Sequence, residues 1–338
     1  MGGDRHKMNS QEPLVSVLIP TYNRPFYFEQ ALKSALTQTY KNIEIVIGDD
    51  STNDETEQLI QPYLKQYPTI RYIKNKKNIG QFENDLMLLE ESNGEFVNLL
   101  KDDDLFHPQK LELMVPPLRD QQALVMVSSH RQEIDAMSNL LPIGGVTVKI
   151  TNQPSLLGRQ SVAQLVYANP NGFTIFNFIG EPTTVLFRKS SLKVPFGSFA
   201  GRKYGCNVDL ATWFSLLLEG QGLYLPDTLS YIRVHPGKQA NSAGLHLKSM
   251  ADHAHSLYVA PNYGFMDKTS KVYEIALQRL FKHITHVISQ YQPELYFASN
   301  DKRDLGIQEN NSELKIYYKY LSADWESFME IELNNLLN

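Results

Sequence analysis

The sequence is poor in cysteine and in long apolar runs, and it carries no excess of positive charge. A single cysteine, Cys206, among 338 residues excludes an internal disulfide framework and fits a reducing compartment. No stretch approaches the roughly 18 consecutive apolar residues of a membrane-spanning helix. The net charge of −5 argues against a nucleic-acid partner, which would need a basic stripe. These absences predict a cytoplasmic protein and leave open a peripheral position at the inner face of the membrane.

The composition is that of an ordinary folded domain. Apolar residues make up 42% of the chain and charged residues 20%, which is enough of each for a real core and a solvated surface. Residues 1–13 are polar and lack the apolar centre of a signal peptide, so we interpret them as a disordered leader. No internal repeat or low-complexity tract interrupts the remaining sequence.

Strand and helix patterns alternate through the first third of the chain. Residues 14–19 form a nearly unbroken apolar run that ends at Pro20, a pattern typical of a buried parallel strand. Repeated βα order predicts an α/β fold with a Rossmann-like, mostly parallel sheet and helices on both faces. We interpret residues 132–180 as loops around a substrate pocket, and residues 183–187 as a return to strand.

From about residue 245 the pattern becomes helical without strand alternation. Residues 245–259, 268–291 and 311–337 each favour a helix. We therefore predict a main domain over residues 14–240 and a helical C-terminal extension over residues 245–338. This extension would pack on the sheet or form a homo-oligomer contact.

An aspartate run, Asp102, Asp103 and Asp104, directly follows the apolar segment 96–100. Ligands of α/β folds bind at the carboxyl ends of the strands, which is where this run would lie. Three adjacent carboxylates repel one another and favour a hard divalent cation, Mn²⁺ or Mg²⁺, whose shell phosphate oxygens can complete. The alternative is a solvated acidic loop that caps the helix after Pro108.

Two earlier strand ends carry polar residues that could face the same crevice. The first strand end, residues 20–24, could receive phosphate on its backbone amides and arginine and could stack a base on its tyrosine, although it could also be a plain turn. The second strand end, residues 49–51, could accept a hydrogen bond from a base through a carboxylate, although it could also cap a helix. The candidate nucleotide-binding residues at these ends are Pro20, Thr21, Tyr22, Arg24, Asp49 and Asp50, together with Asp102.

These segments also resemble a known family. Residues 17–24, 35–40, 45–54, 78–84 and 94–108 are similar, in order and spacing, to the opening of the family 2 inverting glycosyltransferases. The resemblance covers about residues 14–236, weakly across the middle, and does not reach the helical extension.

The resemblance implies a GT-A fold that binds the diphosphate of a UDP-, GDP- or dTDP-sugar through a metal ion, with a UDP-sugar favoured. Carried over position by position, it implies nucleoside contacts by Thr21 and Tyr22, a base contact by Asp50, a ribose or metal contact by Asp102, and metal ligands Asp103, Asp104 and His235. His235 enters because Arg233-Val234-His235 resembles the family's Arg-x-His near the end of the catalytic domain.

Asp209 is the candidate catalytic base. An inverting transfer needs a carboxylate to take the proton of the acceptor hydroxyl. Residues 207–213 resemble the family's acidic helix start, although Val208 stands where the family usually has glutamate. The alternative is that Asp209 stabilises a helix N-terminus.

The sequence therefore predicts transfer of a sugar to a carbohydrate, lipid-linked or protein acceptor, in polysaccharide or glycoconjugate synthesis. Two other functions stay open. A nucleotidyltransferase would want a glycine-rich phosphate loop after the first strand, which residues 20–23 are not. A non-catalytic sugar-nucleotide binder or scaffold would keep the pocket without turnover.

Overall fold

The computed structural model describes residues 12–144, 147–169, 177–235 and 243–291 of the protein. The strands in these ranges are β1 (Val15–Thr21), β2 (Ile43–Asp49), β3 (Ile70–Lys74), β4 (Phe96–Leu99), β5 (Leu105–Phe106), β6 (Leu124–Ile134), β7 (Ser155–Leu157), β8 (Leu186–Arg188), β9 (Ser198–Phe199), β10 (Arg202–Lys203) and β11 (Gln221–Arg233). The helices are α1 (Pro25–Leu36), α2 (Glu55–Gln66), α3 (Gln81–Glu91), α4 (Lys110–Asp120), α5 (Arg159–Ala168), α6 (Val208–Glu219), α7 (Ala243–Val259) and α8 (Lys271–Tyr291).

The central sheet confirms the predicted α/β class. Its strands lie in the order β3-β2-β1-β4-β8-β6-β11-β5, with β7 also paired to β11. Strands β1 to β4 are parallel, and β6 is parallel to β11. The short strand β8 is antiparallel to both β4 and β6, so the long strands of both halves point the same way. Their carboxyl ends therefore share one edge of the sheet.

Strand β1 shows why helices cover both faces of this sheet. Its side chains alternate between faces, as a strand requires. Val15, Val17 and Ile19 belong to the core that includes residues of α1, α2 and α4. Leu18 belongs to the opposite core, which includes residues of α3 and α5 to α8. A strand that is apolar on both faces buries both of them only when helices pack on each side of its sheet.

The C-terminal helices pack directly against the sheet's helical cover. Helices α7 and α8 confirm the predicted helices at residues 245–259 and 268–291, whereas the predicted helix at 311–337 lies outside the described residues. Phe265, which follows α7, packs 4.7 Å from Phe214 of α6 between ring centroids. Among the described helices, none combines the length and apolar character needed to cross a bilayer.

The interpretation of residues 132–180 as loops is wrong where the structure has α5 and β7. Val162, Ala163, Val166 and Tyr167 of α5 are fully buried on one face. Their spacing is helical, but a ten-residue helix gives only two such turns, and the polar segments around it obscure them. The predicted strand at 183–187 begins instead as a 3₁₀ turn, Pro182–Thr184, before it becomes β8.

Candidate active site

The three predicted strand ends meet at one edge of the sheet. Thr21 at the end of β1 pairs with Asp49 at the end of β2. The backbone N–H of Asp50 donates to the Thr21 carbonyl at 2.9 Å, and the Thr21 hydroxyl donates to Asp102 Oδ2 at 3.0 Å. Side chains from β1 and from the segment after β4 are therefore in direct contact.

Asp102 is buried where these strand ends meet. Its carboxylate accepts the backbone N–H of Tyr22 at 3.2 Å, and Arg24 lies 3.5 Å from its other oxygen. Burial and the neighbouring charge of Asp103 raise the pKa of Asp102 to about 6, although Arg24 and Thr21 act in the opposite direction. The Tyr22 side chain is 45% exposed, which leaves its ring open for stacking.

Asp103 and His235 form the pair that fits a divalent cation. Asp103 Oδ2 lies 3.0 Å from His235 Nε2, and Arg24 lies 3.5 Å from the same oxygen. This separation is that of a hydrogen bond between the two side chains. It also equals the roughly 3 Å between two ligands that lie at a right angle and about 2.1 Å from an octahedral cation, so the pair could hold a cation in place of the hydrogen bond. In the described ranges no three His, Cys, Asp or Glu side chains converge as a metal cage.

Asp104, which the sequence places among the metal ligands, is not brought to that pair. Its Oδ2 accepts the Thr183 hydroxyl at 2.6 Å, and its Oδ1 accepts the Arg233 backbone N–H at 3.0 Å. Asp104 is only 2% exposed. Its carboxylate thus ties the aspartate loop to the 3₁₀ turn and to the end of β11.

Asp49, a predicted nucleotide contact, is fully buried at the end of β2. It accepts the Tyr72 hydroxyl at 2.6 Å, the Lys74 ammonium at 2.9 Å and the Ser51 backbone N–H at 2.9 Å. Burial alone would raise the pKa of Asp49, but these hydrogen bonds outweigh it and leave the pKa below its ordinary value. Asp49 is therefore a fixed anion that orients Tyr72 and Lys74.

Asp50 and Pro20, both predicted nucleotide contacts, are engaged in contacts within the protein. The Asp50 carboxylate accepts the backbone N–H groups of Ile79 and Gly80, each at 2.8 Å. Gly80 has a φ of +86°, a conformation that a side chain would strain. Pro20 is buried within β1 opposite Gly48. The Asp50 carboxylate therefore holds the loop at residues 79–80 in place.

Asp209 lies at the second position of α6 and is held by two donors. Its Oδ2 accepts the Asn177 amide at 2.8 Å, and its Oδ1 accepts the backbone N–H of Leu210 at 2.8 Å. Burial raises the pKa of Asp209 to about 6, the charge of Glu181 adds to that rise, and the Leu210 and Asn177 hydrogen bonds oppose it. A carboxylate with this pKa is mostly ionised at neutral pH and is more basic than an ordinary aspartate.

Arg131 and Glu181 flank Asp209, and the sequence interpretation missed both of them. Arg131 Nε lies 2.6 Å from Glu181 Oε2, and the Arg131 guanidinium also donates to the Asn177 carbonyl at 3.0 Å. Arg131 is 3% exposed in the second half of β6. Its neighbours in residues 128–133 are also polar, so the sequence carries no local signal that this arginine is buried.

The segment from Asn177 to Thr184 joins the two carboxylate positions. Asn177 bonds to Asp209 near one end, and Thr183 bonds to Asp104 near the other. Gly180 lies between them with a φ of +122°, where an added Cβ would meet Thr184 atoms at 2.7 Å. Its carbonyl accepts the Trp213 indole N–H at 2.8 Å, so the indole fixes the segment against α6.

Comparison with known proteins identifies the family. The model of the family described as "Glycosyl transferase family 2" matches residues 16–178. A glycosyltransferase of Rickettsia typhi is 27% identical over 312 residues, which is 89% of each chain. Residues 16–178 are therefore a glycosyl transferase family 2 domain, and the chain is a glycosyltransferase. The chondroitin synthase of Escherichia coli is 34% identical over 133 residues, but that match covers 39% of this glycosyltransferase and 19% of the relative.

Solved structures place this glycosyltransferase in the GT-A fold. The Staphylococcus aureus TarS fragment in complex with UDP-GlcNAc matches with a TM-score of 0.58 at 15% identity, covering 92% of this chain and 80% of that one. The mannosyltransferase PcManGT of Pyrobaculum calidifontis, in complex with GDP-Man and Mn²⁺, matches with a TM-score of 0.51 at 14% identity, covering 93% and 86%. At these identities the likeness establishes the fold alone.

The family match contains only part of the candidate site. The strand ends at Thr21, Asp49 and Asp103 lie within residues 16–178. Asp209 and His235 lie beyond it, on α6 and after β11. Their assignment therefore rests on the geometry of this chain.

Proposed function

We propose that this chain is a metal-dependent, inverting glycosyltransferase that moves a sugar from a nucleoside-diphosphate donor to an acceptor hydroxyl. The observation that carries the proposal is the presence of two separate carboxylate positions. Asp103 lies 3.0 Å from His235 at the strand ends, whereas Asp209 lies at the start of α6 with its pKa raised to about 6. Asp103 and His235 would bind a cation and the donor diphosphate, and Asp209 would accept a proton.

The donor would lie along the strand ends. Tyr22 presents an exposed ring to a nucleoside. The Thr21 hydroxyl and the Tyr22 backbone N–H orient the Asp102 carboxylate beside that ring. Arg24, within 3.5 Å of both Asp102 and Asp103, would meet the diphosphate. A UDP-sugar is the donor we favour because the TarS fragment of the same fold was solved with UDP-GlcNAc.

Asp103 and His235 would hold Mn²⁺ or Mg²⁺. When bound, such a cation would neutralise negative charge on the departing nucleoside diphosphate. The spacing of the pair supports this assignment, and the 14%-identical PcManGT was solved with Mn²⁺. Asp104 would act indirectly, since its carboxylate holds the loop that carries Asp103.

Asp209 would act as the general base. Its carboxylate takes the proton of the acceptor hydroxyl while that oxygen bonds to the anomeric carbon. The bond from this carbon to the diphosphate oxygen breaks on the opposite face, and the configuration inverts. Asn177 and the Leu210 N–H, both 2.8 Å from the carboxylate, keep it oriented. The acceptor would be a growing polysaccharide or glycoconjugate, as the name of the E. coli relative suggests.

A donor panel tests the proposal. The protein is incubated with UDP-, GDP- and dTDP-sugars and candidate acceptors, with Mn²⁺ or with EDTA, and nucleoside diphosphate and pyrophosphate are quantified. We expect nucleoside diphosphate only with metal, and a product of inverted anomeric configuration by NMR. Pyrophosphate formation from nucleoside triphosphate and sugar phosphate would identify a nucleotidyltransferase instead. Donor binding without turnover over the whole panel would identify a non-catalytic binder.

A further inference from the structure

The carboxylate of Asp252, on the C-terminal helix α7, is bonded to the backbone just before α6. Asp252 Oδ2 accepts the N–H groups of Cys206 at 2.8 Å, Asn207 at 3.0 Å and Gly205 at 3.1 Å. The Arg202 guanidinium approaches the other oxygen at 3.8 Å. Asp252 itself is 0% exposed. One buried carboxylate therefore accepts hydrogen bonds from three consecutive backbone N–H groups, those of residues 205–207.

Helix α7 also holds the residue that precedes α6. Asn207 is the N-cap residue, and its side chain makes no capping hydrogen bond to the helix. Its amide instead donates to the Ser249 carbonyl and hydroxyl of α7, each at 3.2 Å. The N–H groups that Asp252 accepts belong to residues 205–207, just before the first turn of α6. Helix α7 therefore fixes the segment that leads into α6 through both Asp252 and Ser249.

Burial makes the placement of this carboxylate costly, which argues that the contact is specific. A buried carboxylate without partners is strongly disfavoured, and three amides with a guanidinium are the kind of partners that offset its desolvation. Burial still raises the pKa of Asp252 to about 6. The second residue of the helix that these amides precede is Asp209.

We propose that Asp252 is a positioning residue for the general base: by fixing residues 205–207, α7 sets where the first turn of α6 presents Asp209. This inference rests on the proposed function, because it assumes that Asp209 accepts the proton. It gives the C-terminal helices a part in transfer, although they lie outside the segment that matches the family.

A graded substitution series tests the proposal. Asp252→Asn keeps one acceptor oxygen for Cys206 and Asn207 but loses the charge, and Asp252→Ala removes every contact. We expect kcat to fall by about 10-fold in the asparagine variant and about 10²-fold in the alanine variant, since an ångström-scale misplacement costs that much. The donor KM should stay within about twofold, because the donor lies along the strand ends. An equal rise of the donor KM with unchanged kcat would overturn the inference.

A matched control and a local reporter separate positioning from general loss of stability. Ser256, one turn further along α7, accepts from Tyr167 of α5 and is 0% exposed. Ser256→Ala weakens the same helix and also disturbs Tyr204 beside the segment, but it leaves the Asp252 contacts to residues 205–207 in place. Its kcat should therefore stay within about twofold of the parent. Cys206 is the single cysteine, so the rate of maleimide labelling reads the opening of this segment alone. Labelling should accelerate in Asp252→Ala and not in Ser256→Ala.

A double variant distinguishes failure of this inference from failure of the proposed function. If Asp252 acts through Asp209, then adding Asp252→Asn to Asp209→Asn should lower turnover by less than about twofold further. A further loss of about 10-fold would show an independent role and overturn the inference alone. Parental turnover in Asp209→Asn would refute the general base, and the inference with it.

Discussion

Replacing Asp209 by asparagine should abolish most activity and make the protein more stable at neutral pH. The activity loss follows from removal of the base, which typically contributes about 10² to 10⁴ in rate. We therefore expect kcat to fall by at least about 10²-fold. Asparagine has nearly the same shape and cannot accept a proton at neutral pH, so donor affinity should change little.

The stability gain follows from the raised pKa of Asp209. Its pKa is about 6 in the folded protein against an ordinary value of 3.8, a rise caused first by burial. Such a rise means that the folded state holds the charged form at a cost above pH 6. Because Asp209 is only partly buried, solvent screens part of this cost, which we take as roughly 2–3 kcal/mol. Asparagine removes that cost but can accept only one of the Asn177 and Leu210 hydrogen bonds, a loss of about 1 kcal/mol. The net expectation is a gain of about 1–2 kcal/mol.

The stability difference between Asp209→Asn and the parent should depend on pH. Above pH 6 the parent carries the partly buried charge of Asp209 and the variant does not, so the full difference in stability is present. As the pH falls from 6 to below 3.8, Asp209 becomes protonated in both folded and unfolded parent, and the advantage disappears. Thermal unfolding of both proteins at pH 7 and pH 4, beside steady-state transfer assays, measures both effects. Parental kcat, or a variant that is less stable at pH 7, would refute the reasoning.

Three further substitutions test the remaining assignments. Asp103→Asn should raise the Mn²⁺ concentration for half-maximal transfer by at least about 10-fold, the smaller end of what even outer-shell changes cost; an unchanged metal titration would remove Asp103 as a ligand. Thr183→Val should lower the free energy of unfolding by about 1–3 kcal/mol in urea titrations, because buried Asp104 loses a donor, with little change in the Mn²⁺ requirement. A metal defect as large as that of Asp103→Asn would instead place Asp104 among the ligands. Glu181→Gln should move the acid limb of kcat/KM to lower pH, because the charge of Glu181 raises the pKa of Asp209; a limb that stays or rises would contradict that coupling.

The sheet and its strand ends could be predicted because their signals are local and strong. The apolar run before Pro20 and the aspartates after β4 each indicate where a strand ends. Because these strands are parallel, their carboxyl ends lie at one edge of the sheet. The helices α7 and α8 were also predictable from their length. Helix α5 was missed because it has ten residues and lies between polar segments.

Side-chain direction could not be predicted from adjacency along the chain. Asp103 and Asp104 are neighbours, yet one approaches His235 and the other accepts from Thr183. Which carboxylate turns inward depends on partners about 80 to 130 residues away, and no spacing rule encodes them. The support of Asp209 by Asn177, and of α6 by Asp252, is equally non-local. Only the folded arrangement shows these contacts.

The account requires that donor binding and proton removal be separate tasks of separate carboxylates. Calorimetric titration of a nucleotide sugar, with Mn²⁺, into Asp103→Asn and Asp209→Asn measures this separation directly. We predict that Asp103→Asn loses most donor affinity, while Asp209→Asn binds the donor within about twofold of the parent and does not turn it over. Parental donor affinity in Asp103→Asn, or a matching loss of affinity in both variants, would contradict the account.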